Sequence, residues 1–99
     1  MKRSICILGS TGSIGKSSMN LISKNKNVFS IDLLMANSNY KLICEQIKKY
    51  KPKYFIINNY EIYKKIKKKF KKKKIKIFNH ISDVRLKKKS DIVISSISG

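Results

Sequence analysis

Nine residues, Gly9-Ser10-Thr11-Gly12-Ser13-Ile14-Gly15-Lys16-Ser17, constrain this chain more than any other stretch. Ile5-Cys6-Ile7-Leu8 before them is a short apolar run that reads as a buried strand. Three glycines then fall at a spacing of three, and a helical pattern follows. Strand, Gly-x-x-Gly-x-x-Gly turn and helix together form the opening of a dinucleotide-binding unit. Gly9 lets the chain leave the strand in a tight turn. Gly12 leaves room for a pyrophosphate beside the backbone, and Gly15 lets the helix approach the strand. The first N–H groups of the helix, unpaired within it, then face the anion. Gly15-Lys16-Ser17 also looks like the end of a triphosphate-binding loop. That motif needs glycine at position 10, where this chain has Ser10, and the late strand ends in Ile94-Ser95-Ser96 rather than in an Asp for magnesium.

The remaining elements alternate. Ile14, Ser18, Leu21 and Ile22 give the first helix an apolar spacing, and Asn25-Lys26-Asn27 closes it. Phe29 to Met35 reads as the second strand, with Ile31, Leu33, Leu34 and Met35 buried. Asn39 is placed to cap a helix whose stripe is Leu42, Ile43, Gln46, Ile47 and Tyr50. Lys51-Pro52-Lys53 stops it, and Tyr54 to Ile57 is the third strand. Asn58-Asn59 opens a third helix with an inner face of Ile62, Ile66 and Phe70. Ile75, Ile77 and Phe78 suggest strand four, His80 to Leu86 a short helix, and Asp91 to Ile94 strand five. The expected class is α/β: a Rossmann-like, doubly wound parallel sheet of about five βα units with helices on both faces. The loops after Leu8, Met35, Ile57, Phe78 and Ile94 should share one edge, where ligands of such sheets lie.

Charge narrows the partners less than its size suggests. The chain is 99 residues with a formal net charge of +19, yet Arg3 and Arg85 are its only arginines. Base and phosphate recognition favours arginine forks, whereas lysine with abundant Ile and Asn resembles the codon usage of a genome rich in A and T. The lysines from Lys64 to Lys74 surround an apolar step that persists through the run, so they read as the solvated faces of a helix. Nucleic acid is expected to bind only non-specifically. Cys6 and Cys44 have no disulfide or metal spacing and read as core fillers in a reducing compartment. His80 lacks a partner and reads as surface. The apolar run after Lys2-Arg3 is too short for a signal peptide and no span long enough for a membrane follows. A cytoplasmic protein of a bacterium or symbiont is expected.

The second strand decides the nucleotide. A unit built for NAD ends that strand in an acid that accepts the ribose hydroxyls. Here the strand ends in Met35-Ala36-Asn37-Ser38-Asn39, and Asp32 comes too early to reach the site. Amide and hydroxyl donors with Lys41 nearby suit a 2′-phosphate, which favours NADP. Asn37 to Asn39 also fit a simple helix cap, and the two roles are compatible.

Ile7 to Gly15 resembles the amino-terminal signature of the 1-deoxy-D-xylulose 5-phosphate reductoisomerases. Leu34-Met35-Ala36, Asn37-Ser38-Asn39, Gln46, Lys51-Pro52 and Asp91 to Gly99 continue the resemblance in register over essentially the whole chain. It implies isomerisation of 1-deoxy-D-xylulose 5-phosphate and NADPH-dependent reduction to 2-C-methyl-D-erythritol 4-phosphate in non-mevalonate isoprenoid synthesis. It further implies a divalent metal, Mg or Mn, and a homodimer. By the resemblance Gly9, Thr11, Gly12, Ser13, Ile14 and Gly15 hold the pyrophosphate region. Ala36, Asn37, Ser38 and Asn39 hold the adenosine ribose and its phosphate; some members carry a basic residue in place of Ser38. The family's metal-binding Asp-x-Glu does not occur in residues 1–99. The expectation is therefore a partial NADPH-binding domain, truncated after its fifth strand, with no catalytic or metal residue of its own and inactive alone. Alternatives are the nucleotide domain of another NADP-dependent reductase, such as a semialdehyde dehydrogenase, a basic nucleic-acid-binding module, or an inactive remnant.

Overall fold

A computed structural model of the chain describes residues 3–80, 82 and 92–95. Its elements run β1 (Arg3–Leu8), α1 (Ser13–Ser23), β2 (Phe29–Ala36), α2 (Tyr40–Tyr50), β3 (Tyr54–Ile57), α3 (Tyr60–Lys69), β4 (Lys76–Phe78) and β5 (Ile92–Ser95). The five strands form one sheet in the order β4-β3-β2-β1-β5, every neighbouring pair parallel. Three successive βα units step from β1 to β4 in one direction. A right-handed crossover places all three helices on the same face. The chain then returns across the sheet, so β1 and β5 flank the point where strand order reverses. That switch point is where open α/β sheets place their ligands.

Packing agrees with this topology. Ile5, Ile7, Leu34, Ala36, Phe55, Ile57 and Ile77 face the helices. There they meet Met19 and Ile22 of α1, Ile43, Cys44 and Ile47 of α2, and Ile66 of α3, with Phe70 just beyond it. Cys6, Leu33 and Ile56 form a second buried cluster on the opposite face, with Leu8, Met35, Tyr54 and Phe78 against it. The sequence leads one to expect a short helix over His80–Leu86. Apart from exposed His80 and Ser82, it lies outside the described residues, as do Asp91 and residues 96–99.

Four sequence expectations need correction. Leu21 is 65% exposed, whereas Met19 is 1% exposed. The buried line of α1 runs Gly15, Met19, Ile22, one position round the helix from the expected stripe. In strand β2, Leu33 and Leu34 are buried as expected, but Ile31 and Met35 are only half-buried, because the strand does not keep one register. Ile5 pairs with Ile31 and Cys6 with Leu33, so Asp32 is the extra residue of a bulge. The bulge reverses the parity of the strand. Phe29 and Ile31 face the helices before it, and Leu34 and Ala36 do so after it. The strand reaches Ala36, one residue further than expected, while β4 starts at Lys76 and leaves Ile75 in the preceding loop.

Candidate nucleotide-binding edge

The site is built at the carboxyl ends of the strands by backbone hydrogen bonds. Gly9 N–H and Ser10 N–H both donate to the Met35 carbonyl, at 2.7 and 2.9 Å. The loop after β1 is thereby tied to the end of β2. One strand further, Asn58 N–H donates to Ala36 O and Asn59 N–H to Asn37 O, each at 3.0 Å. The Asn79 amide then donates to Ile57 O at 2.8 Å and to Asn58 O at 3.2 Å. The ends of four strands are laced into one ledge, and the two loops singled out from sequence, 9–15 and 36–39, are neighbours on it.

Within the first loop each glycine has its own reason. Gly9 has φ 89°, which side chains rarely adopt, so the strand can leave the sheet abruptly only with glycine there. Gly15 is required by space. A Cβ on it would fall on the Gly9 carbonyl oxygen, 2.8 Å from Ser10 Cα and 3.0 Å from the Ser10 carbonyl carbon. All three are backbone atoms that cannot swing aside. Gly12 caps α1 with φ −78° and ψ 172°, a conformation open to any residue. Its glycine therefore has no conformational cause, and it stands exposed where an anion would approach.

The amino terminus of α1 differs from those of the other helices. Asn39 Oδ1 accepts from Leu42 N–H at 3.2 Å, and Asn59 Oδ1 from Ile62 N–H at 3.1 Å. Each thus satisfies one orphan donor of α2 and α3. On α1 no side chain caps, and its first turn holds no acidic residue. The N–H groups of that turn and the positive end of the helix dipole suit a phosphate. Thr11 is half-buried and Gly12 exposed beside them. Ser13 and Ile14 contribute their backbone to this turn; their side chains lie outside the described set.

A contact that sequence reading missed fixes the loop from behind. Ser10 is fully buried and Gln46 is 5% exposed. Ser10 Oγ donates to Gln46 Oε1 at 2.8 Å, while Gln46 Nε2 donates to the Ser10 carbonyl, also at 2.8 Å. The expected apolar stripe of α2 contained Gln46, and its polar head is the reason it belongs there. Removing one partner would strand buried polar groups, at a cost of about 1–3 kcal/mol.

In the second loop Asn37, Ser38 and Asn39 are exposed, as is Lys41, and Ala36 is buried beneath them. Asn39 acts as a helix cap, as expected. Its carbonyl oxygen is committed to that bond, which leaves its amide N–H₂ as the part able to donate to a phosphate. Asp32 stands four residues before Ala36, roughly 13 Å down the strand at 3.3 Å per residue, and its carboxylate lies 4.0 Å from Lys53 Nζ. It cannot serve as the ribose-binding acid.

The other candidate features separate from this edge. Among the described residues no group of three or more His, Cys, Asp or Glu is placed to hold a metal ion, and no helix is long and apolar enough to cross a membrane. Both cysteines are buried free thiols. Burial, then the Asp32 carboxylate, raises the Cys6 thiol above its ordinary value. The lysines of α3 are exposed around a fully buried Ile66. A cavity of about 350 Å³ lined by Ile47, Phe70 and several lysines opens at the amino ends of β3 and β4. It is at the wrong end of the sheet for a dinucleotide.

Comparison with known proteins agrees with this geometry. The family model described as 1-deoxy-D-xylulose 5-phosphate reductoisomerase matches residues 5–99. The enzyme of that name from Buchnera aphidicola is 36% identical over 102 aligned residues, which cover 98% of this chain and 26% of the relative. The chain thus spans about a quarter of the length of that curated relative. Among solved structures, the reductoisomerase from Zymomonas mobilis in complex with NADPH superposes with a TM-score of 0.73 and 28% identity. The match covers 79% of this chain and 21% of that one. A reductoisomerase in complex with NADPH, fosmidomycin and magnesium gives a TM-score of 0.74 at 23% identity, covering 82% of this chain and 20% of that one, and supports the same fold.

Proposed function

Because this chain belongs to the 1-deoxy-D-xylulose 5-phosphate reductoisomerase family, we propose that residues 1–99 form an NADPH-binding, Rossmann-like domain of such an enzyme. The observation that carries the proposal is the glycine loop at the switch point. It combines a backbone approach that only Gly15 allows with a helix terminus that no side chain caps. The residues present fit the cofactor on those grounds. Gly12 N–H donates to the Gly9 carbonyl at 3.1 Å, so backbone N–H groups from Ser13 to Gly15, with Thr11 and Gly12 beside them, would receive the pyrophosphate, and Gly9 sets the path of the loop. Asn37, Ser38 and Asn39, above Ala36, would receive the adenosine ribose and its 2′-phosphate. The position of Asp32, four residues before the end of β2, keeps it from this edge and favours NADPH over NADH, since no carboxylate repels the phosphate there. When bound, NADPH supplies the hydride of the reduction; the chain's own part is to bind and orient it.

The whole enzyme would convert 1-deoxy-D-xylulose 5-phosphate to 2-C-methyl-D-erythritol 4-phosphate for isoprenoid synthesis. Its divalent metal and the residues of the chemical step would be supplied outside residues 1–99. That reductoisomerases have been solved in complex with magnesium supports the metal itself. The sugar-phosphate substrate and a homodimeric state rest on family membership alone. A cytoplasmic location agrees with two free thiols. The test is the natural gene product supplied with 1-deoxy-D-xylulose 5-phosphate, magnesium and NADPH. Consumption of NADPH that depends on the sugar phosphate is expected. No consumption by a folded product that also fails to bind NADPH would overturn the reading.

A further inference from the structure

We infer that Gln46 is a positioning residue for the pyrophosphate loop, holding it at a fixed offset from the loop that receives the adenosine phosphate. The inference rests on the NADPH reading above. Helix α2 carries both ends of the device. Its amino terminus grows out of Asn37-Ser38-Asn39, with Asn39 as its cap. Two turns later, on the face turned to the sheet, Gln46 holds Ser10 through the two reciprocal bonds. Ser10 is held on a third side by its N–H to Met35 O, and α1 presses against its Cα at Gly15. Hydroxyl, amide and carbonyl of Ser10 are all engaged, so the loop cannot slide along the sheet without breaking a buried contact.

The chemistry explains why glutamine suits the place. Its amide offers an acceptor to the Ser10 hydroxyl and a donor to the Ser10 carbonyl in one planar group. Glutamate would match only the first, and leucine neither. Ser10 turns its side chain inward, away from the anion, so the clamp touches no part of the cofactor. It acts on the ligand through the backbone that follows, where Thr11 and Gly12 lead into the first turn of α1. Pre-organising that backbone leaves less ordering for the ligand to impose.

The test compares the natural gene product with Gln46→Leu and Ser10→Ala, each titrated with NADPH and with adenosine 2′-monophosphate below its unfolding midpoint. The monophosphate reaches only the adenosine loop. NADPH affinity is expected to fall about fivefold to tenfold in Gln46→Leu and about threefold in Ser10→Ala, the worth of lost hydrogen bonds of this kind. Affinity for the monophosphate should stay within twofold. Should Gln46→Leu fail to fold, the milder Ser10→Ala decides. Unchanged NADPH affinity in a folded variant, or an equal fall for both ligands, would overturn the positioning role and leave the NADPH reading intact. A wild-type protein that does not bind NADPH would overturn both.

Discussion

Gly15→Ala separates two opposing effects of one methyl group. In an open helix the change would stabilise, since glycine is about 0.8–1 kcal/mol worse than alanine in a helix interior. Here the methyl meets Gly9 O, Ser10 Cα and Ser10 C. Backbone must therefore move, by on the order of 1 Å, because non-bonded carbon contacts settle near 3.5–4.0 Å. Overpacking of this sort costs about 1–3 kcal/mol. The helix gain offsets part of it, leaving a net loss of up to about 2 kcal/mol. Relief has only two routes: α1 tilts away from the sheet, or the Gly9–Ser10 turn shifts against Met35 and Gln46. Either displaces the first N–H groups of α1 from the anion. Urea unfolding should show the stability loss, and NADPH titration of the folded variant should show affinity at least tenfold weaker. A variant stabilised by about 1 kcal/mol with unchanged NADPH affinity would refute the packing argument, since helix propensity would then be the only effect present.

Four further outcomes follow from the same geometry. Lys51 adopts φ 49° at the C-cap of α2, so Lys51→Gly should raise stability by about 1 kcal/mol in urea unfolding. Asn39→Ala and Asn59→Ala should each cost about 1 kcal/mol as lost caps, but only Asn39→Ala should weaken NADPH binding. Ile66→Ala should cost about 2–5 kcal/mol, because Ile66 is fully buried between α3 and the sheet. The Cys6 thiol has a folded-state pKa above its unfolded value, through burial first and Asp32 second. Its contribution is therefore complete below the unfolded pKa, near the ordinary 9.0, and is lost as pH rises past it. Unfolding measured from neutral pH upward should show a decline that Cys6→Ala removes.

The features legible in the sequence were those with local causes. Gly9 and Gly15 announce a turn and a close approach because no other residue fits either. Asn39 and Asn59 precede apolar stripes and cap them, and Ile62, Ile66 and Phe70 keep their step through the lysine run. What escaped depends on partners distant along the chain. Leu33, Leu34, Met35 and Ala36 are all apolar or small, so nothing in their order signals the bulge at Asp32. Leu21 and Met19 are equally apolar, and only the proximity forced by Gly15 selects the Met19 side of α1. Ser10 and Gln46 are separated by 36 positions, and the polar pairing appears only when α2 is laid against the loop after β1. Asn79 likewise looks like an ordinary turn residue until it is seen bonding the end of β3. The single-face placement of α1, α2 and α3 follows from strand order, which alternation of elements alone does not specify. Even so, a glutamine inside an otherwise apolar helical stripe was a usable signal: a buried amide requires a partner.

The central claim is that the loops 9–15 and 36–39 form one NADPH site. It is tested most directly by titrating the natural gene product with NADPH and with NADH under the same conditions. Saturable binding of NADPH, at least tenfold tighter than NADH and weakened by Gly15→Ala, is the result the account predicts. Equal affinity for the two would contradict the assignment of Asn37, Ser38 and Asn39 to the 2′-phosphate. No saturable binding of either by a folded protein would contradict the site itself.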